Sequence, residues 1–268
     1  QWTEEIGSED AHGRAIWCLG KAVAFLDNPG HLAMSTTLFK KALRIVETFH
    51  APRAIAFCLV GINAYLHKFY GDSEVRSIRG ILADRLFNQF DNNATDNWPW
   101  LENALNYANG KLPNALLVSG RRMQRNDMVD MGLNSLKWLL AIQTENKHFS
   151  PIGSNGWHKK GGHRARFDQQ PLEANAMIEA CVEAFNITRD HAWFENAAMC
   201  FNWFLGQNDL NVPIYDPKTG GCRDGLMADG INQNEGAESS LAWLLSLMTL
   251  QKLYADEILN QASMLKNE

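Results

Sequence analysis

The chain lacks the short signatures that would name a reaction at once. It has no HExxH pair, no Gly-rich phosphate loop ending in Lys-Ser or Lys-Thr, no GxSxG elbow and no GxGxxG fingerprint. It also has no DDxxD stretch. These absences argue against a zinc protease, a nucleotide hydrolase, an α/β-hydrolase, a dinucleotide-dependent enzyme and a diphosphate-ionising terpene enzyme. Positive charge is not in surplus: 25 Lys and Arg stand against 30 Asp and Glu, a net charge of −5. A nucleic-acid binder would show a clustered basic face instead. The nearest thing to a basic run is Arg121, Arg122 and Arg125, which reads as a solvated helix end. No CxxC pair occurs among the five cysteines (Cys18, Cys58, Cys181, Cys200, Cys222). An odd, scattered set argues against a disulfide framework or a zinc knuckle. It points to a reducing, cytoplasmic setting, although Asn93-Ala94-Thr95 and Asn186-Ile187-Thr188 match the glycosylation tripeptide. No apolar run reaches the ~18 residues of a membrane span. No signal peptide opens the chain, which starts at Gln1-Trp2-Thr3 without an initiator Met, as a fragment or the ordered part of a longer protein would.

Strand-like alternation is scarce too, and helical periodicity fills the space. At 268 residues and 46% hydrophobic, the chain can bury a large core, most simply in one domain over 1–268. Helices are predicted at 11–26, 31–49, 52–69, 73–90, 112–119, 126–144, 171–185, 190–205 and 234–250, with the remainder polar. Pro52 suits a first helical position and Ser73 suits an N-cap. Mostly apolar helices alternate with amphipathic ones. Five such pairs begin near Ala11, Pro52, Leu112, Pro171 and Asn234. A helix apolar all round is buried and an amphipathic one faces water, so the alternation predicts inner and outer rings. The expectation is all-α, an (α/α)6-type toroid lacking part of its N-terminal hairpin, since six pairs close a ring. The competing reading is an open solenoid. The uneven spacing of the pairs and the long loops at 92–111, 145–170 and 207–233 tilt against it.

Those loops, with the opening 8–14, carry the unusual residues. The densest run is Gly161-Gly162-His163-Arg164-Ala165-Arg166-Phe167-Asp168-Gln169-Gln170-Pro171-Leu172-Glu173. In a toroid the N-termini of the inner helices share one end, so the four clusters are expected to converge on one mouth. Trp98, Trp100, Trp157 and Tyr215 offer flat faces for the C–H patches of sugars. Substrate contacts are expected from His12, Arg14, Lys111, His158, Arg164, Arg166, Gln169, Gln170, Asp224 and Asn234. Cleavage of a glycosidic bond needs one carboxylic acid to protonate the leaving oxygen. It needs a second carboxylate to attack the sugar directly or to activate water. Asp168 or Asp10 is the candidate acid, and Glu235, Glu238 or Glu102 the candidate base or nucleophile. Arg14, Arg164 and Arg166 would hold those carboxylates or a substrate anion.

Each piece has a plainer reading. Glu9, Asp10, Asp168 and Asn234 with Glu235 could serve as helix caps. The histidines His12, His158 and His163 could be satisfied structural groups. Lys111 could anchor a carboxylate or lie on the surface. Glu238, one turn inside a helix read as buried, needs a partner there. Trp138, Trp193, Trp203 and Trp243 read as packing residues. Asp209, Asp216, Asp224 and Asp229 carry acidic density without EF-hand spacing, and no metal or other cofactor is expected.

Several longer stretches carry a resemblance. They are Glu9-Asp10-Ala11-His12-Gly13-Arg14, Tyr107-Ala108-Asn109-Gly110-Lys111-Leu112-Pro113, Arg164 to Pro171, Trp203 to Asp209, Gly220-Gly221-Cys222-Arg223-Asp224-Gly225, and Asn234-Glu235-Gly236-Ala237-Glu238-Ser239. From Glu4 to Leu250 the chain resembles a bacterial family of α/α toroids of the six-hairpin glycosidase type, associated with glycosyltransferases. The resemblance implies a toroid and a carbohydrate substrate. It departs in the N-terminal region, which would complete the ring. Two functions follow as expectations: a glycosidase or phosphorylase acting on an oligosaccharide or glycoconjugate, or a non-catalytic carbohydrate-binding module serving a glycosyltransferase. A protein-binding solenoid is the third.

Overall fold

The structure is a computed structural model that describes residues 7–264. The opening Gln1-Trp2-Thr3, and Glu4 where the family resemblance begins, lie outside the described residues. The described chain divides into two compact units. The first comprises Gln1–Leu101 and Lys111–Ser135, and the second Glu102–Gly110 and Leu136–Glu268.

The first unit is built on α3 (Pro52–Lys68), whose positions are buried along nearly the whole helix. Around it pack α1 (Glu9–Phe25), α4 (Ser73–Asn93) and α5 (Lys111–Met123), and α2 (Pro29–Leu43) packs on α1. The α1–α3 contact depends on glycine. A Cβ at Gly20 would sit 2.0 Å from the Gly61 carbonyl oxygen, and one at Gly61 would sit 2.4 Å from that of Ile16. Backbone meets backbone there, so no side chain can yield. Pro52 opens α3 as its sequence suggests. The backbone N–H groups of His50 and Ala51 just before it both donate to the Glu9 carboxylate, at 3.0 and 2.8 Å. Glu9 is therefore a cap for the neighbouring helix, while Ser8 caps its own. The expected cap Ser73 is corrected by one position: Asp72 accepts from the Val75 N–H and also holds Lys40 and Tyr65.

The second unit is built on α7 (Pro171–Thr188), which is also buried through most of its length. It packs against α8 (His191–Asn202) and α9 (Ala237–Met264). α6 (Asn126–Ile142) begins in the first unit and ends in the second. The expected fifth helix pair is not formed, because α9 runs unbroken to Met264. No Pro or Gly interrupts it after Gly236, and the sequence shift from apolar to polar marks only a change of exposure. Three two-stranded ribbons occupy the long loops. β1 (Ala104–Leu105) pairs with β4 (His158–Lys159) and β2 (Thr144–Glu145) with β3 (His148–Phe149). β5 (Gly225–Met227) pairs with β6 (Gly230–Asn232). No helix among the described residues is long and apolar enough to cross a membrane.

Candidate functional site

All three long loops meet within the second unit. The 102–110 segment pairs with the loop before α7 through β1 and β4, and the Lys160 N–H donates to the Asn103 carbonyl at 2.9 Å. The loop before α7 joins the loop before α9 where Gln169 and Leu226 exchange backbone hydrogen bonds, both 3.0 Å. Close approach is again needed: a Cβ at Gly225 would lie 1.9 Å from the Gln169 carbonyl oxygen, and Gly225 has φ +148°.

Two buried acids fix this junction. Glu173, in the first turn of α7, is fully buried. Its carboxylate accepts from the Ala108 N–H at 2.5 Å and the Asn109 N–H at 3.3 Å. It thereby ties the 102–110 segment to the helix. Asp209 is also fully shielded. It accepts from Arg166 at 2.9 Å and from Gln169 Nε2 at 2.5 Å. Gln169 in turn accepts from Trp203 Nε1 at 2.8 Å and donates to the Arg166 carbonyl. Burial works to raise the Asp209 carboxyl, but hydrogen bonds from Ser150, Gln169 and Arg166 outweigh it and hold the group below the usual carboxylate range. Neither role is marked by its neighbours in the chain. The one available hint for Glu173 is an acid in the first turn of a helix buried through most of its length.

Asp168 differs from these acids. It stands at φ +60°, a left-handed conformation that Asp tolerates better than most residues. Its main-chain carbonyl accepts from the Ser154 N–H and hydroxyl. Its half-exposed side-chain carboxylate makes no hydrogen bond or ion pair among the described residues. Trp157, on the same loop, is also left-handed at φ +58° and half-exposed. A bulky aromatic held there costs backbone strain, which concentrates at functional sites. Gln170 is half-exposed beside Asp168.

The remaining residues expected at the site fall into two groups. In the second unit most are spent on structure. Arg164 is held by the Glu145 carboxylate at 2.7 Å and by the Ser150 carbonyl, so it is a loop clamp and not a free anion contact. Asp224 accepts from Asn234 Nδ2, from the Gly236 N–H at 2.7 Å and from the Ser239 hydroxyl at 2.7 Å, closing the start of α9. Burial pushes the Asp224 carboxyl upward, and those donors more than offset it and keep it low. Glu235 accepts from Thr219 at 2.9 Å and lies 3.3 Å from Arg223, which also pairs with Asp216. Tyr215 stacks on Trp243 at 5.0 Å with one face covered. His158 is half-buried, and burial with the nearby Arg164 charge pushes its imidazole down and keeps it neutral. His163 is exposed, and Glu102 is half-exposed in the 102–110 segment. Glu238 is exposed, which corrects the expectation of burial: only one face of α9 is covered at that end.

In the first unit, Trp98 and Trp100 are corrected from stacking platforms to core residues, at 6% and 0% exposure, with Trp100 edge-on to Phe90. Asp10 pairs with Arg14 one helical turn later, at 2.9 Å. The Arg14 guanidinium lies 4.7 Å from the centre of the Phe57 ring. His12 bonds the Ala42 carbonyl at 2.7 Å and sits edge-on to Phe49, a structural role. Lys111 is not on the surface: it is fully buried, with its ammonium 4.1 Å from the Trp17 ring centre.

No family model matches the chain, and no curated protein matches it. Solved structures do. The chain is similar to an α-1,6-mannanase of glycoside hydrolase family 76 from Salegentibacter, at 11% identity and a TM-score of 0.59, covering 75% of this chain and 62% of that one. It is similar to a D-mannose isomerase at 13% identity and a TM-score of 0.63, covering 96% and 73%. It is also similar to a family 76 α-mannanase from Bacteroides thetaiotaomicron at 12% identity and a TM-score of 0.62, covering 96% and 73%. The chain thus spans less than two thirds of the Salegentibacter enzyme. At these identities the likeness shows the fold, which is all-α and of the α/α-toroid kind.

Proposed function

We propose that the protein is a carbohydrate-active enzyme that cleaves a glycosidic bond of an oligosaccharide or glycoconjugate, with Asp168 as its proton donor. One observation carries this reading. In a loop junction where Asp209, Asp224, Glu173 and Glu235 are all bonded, the Asp168 carboxylate has no partner among the described residues and is held in a left-handed turn on the loop that carries Trp157 and Gln170. A carboxyl group without protein partners is available to a substrate oxygen, while one bound to protein donors is already occupied. Trp157 supplies a face for the sugar ring, and Arg166, anchored on Asp209 yet half-exposed, orients a hydroxyl or anion. The opposing base belongs to Glu235, Glu102 or Glu238.

Toroidal neighbours include both mannanases and a mannose isomerase, so fold does not choose the reaction. Mannose-containing glycans are the first substrates to try, α-1,6-linked mannan before others, with phosphate added to separate phosphorolysis from hydrolysis. Product analysis by mass spectrometry decides. If wild type cleaves a glycan and Asp168→Asn cleaves it equally fast, the assignment of the proton donor fails.

A second reading is favoured by the pairing of the other acids: a glycan-binding module serving a glycosyltransferase partner in the cytoplasm. It predicts glycan affinity with no product from any glycan bound.

A further inference from the structure

The chain is acidic overall, at a net charge of −5, yet the first unit carries three arginines that make no ion pair among the described residues. Arg76 and Arg79 lie three residues apart in α4 and so share a face. Arg122 comes from the last turn of α5, which packs on α4. The basic run at the end of α5 is therefore divided by the fold. Arg125 is satisfied by Asp84 at 3.0 Å and Asp127 at 2.6 Å. Arg122 makes no ion pair among the described residues, and neither does Arg76.

Arg79 is the anchored member. Its Nη1 donates to Asn63 Oδ1 at 3.3 Å. Asn63 is buried and donates in turn to the Leu59 carbonyl at 2.9 Å and to the buried Ser119 hydroxyl at 3.1 Å. A chain of buried polar groups thus fixes the guanidinium, which is half-buried and has no acceptor at Nε. Burial lowers its pKa, and repulsion from Arg76 and Arg122 lowers it further. A guanidinium stays charged regardless, so the repulsion remains as an unfavourable interaction in the free protein.

We propose that Arg76, Arg79 and Arg122 form a binding site for a phosphate group, free or as the monoester of a small molecule. Two exposed forks act on one fixed fork, an arrangement that suits the several oxygens of one tetrahedral anion. A compact dianion removes the repulsion among three cations that a single carboxylate would only reduce. The site is independent of the Asp168 assignment, because all of its residues lie in the first unit.

The test uses the full chain in phosphate-free buffer. Thermal unfolding is followed against inorganic phosphate and, separately, a hexose phosphate monoester, at constant ionic strength set with chloride. A saturable rise in Tm is expected, since a ligand that binds only the folded state stabilises it. The double variant R76Q/R122Q changes two exposed side chains and leaves the Asn63 anchor intact. It should weaken phosphate binding about tenfold or more. R125Q, whose guanidinium is already paired, should bind as wild type does. Tighter binding of the ester than of free phosphate would show that the site reads the attached group, and equal binding would assign the phosphate alone. No saturable rise with either probe, or the same rise in R76Q/R122Q, overturns the proposal.

Discussion

Four loop acids of the second unit and three helix arginines of the first are handled in opposite ways. Asp209, Asp216, Asp224 and Glu235 each have a cationic or hydrogen-bonding partner, and the loops they join are long and irregular. Arg76, Arg79 and Arg122 stand on regular helices, and among the described residues their side chains make one hydrogen bond, from Arg79 to Asn63. The loops need their charges to fix a backbone that has little regular ladder to fix it, since buried polar groups must be paired. α4 and α5 are fixed by packing on α3, so the exposed charges of Arg76 and Arg122 are not needed to hold the backbone. Asp168, held in a left-handed turn, is the acid of the loop junction whose carboxylate makes no hydrogen bond or ion pair among the described residues, and the proposed chemistry rests on it.

The largest effect expected is on that acid. Asp168→Asn should lower turnover on any cleaved glycan about 10²–10⁴-fold while changing stability little, because no protein contact is lost. Kinetics together with urea denaturation check both halves. A stability loss equal to that of the paired acids would erase the contrast.

Next comes Glu173→Ala, which breaks the junction itself. It leaves the buried N–H groups of Ala108 and Asn109 without their acceptor. A loss of about 3 kcal/mol in urea denaturation is expected. Hydrogen exchange should show the 102–110 amides losing protection first.

A smaller effect is the acid sensitivity of the paired carboxylates. Asp209 and Asp224 are held below the usual carboxylate range in the folded state. Their contribution is therefore present above the ordinary carboxyl pKa of about 4 and is lost as pH falls below it through the folded values. Asp209→Asn should flatten the decline of Tm in that acid range.

The smallest effect sharpens the other side of the comparison. In phosphate-free, low-salt buffer, Arg122→Gln should raise stability by a few tenths of a kcal/mol by relieving repulsion on Arg79. Added salt should shrink the difference.

Much of the helical order was legible in the residues. The predicted starts near Ala11, Pro52, Leu112 and Pro171 fall within two residues of α1, α3, α5 and α7, because apolar periodicity and Pro at a first helical position are local signals. α9 was misread as half a pair because a polar segment can continue a helix when no breaker intervenes. At the loop junction, the close approach at Gly225 falls within the Gly220–Gly225 stretch that the sequence already marks as unusual. The tertiary structure alone decided which charges are spent. Trp98 and Trp100 look like sugar platforms by type, yet they fill a core. Arg164 and Arg122 are the same residue type, but one is clamped by Glu145 and the other acts repulsively on the Arg79 cation. Periodicity is set by neighbours three or four residues away and can be read along the chain. Ion pairing and burial depend on partners tens of residues distant, such as Asp209 for Arg166 and Glu173 for Ala108, which only the folded backbone brings together.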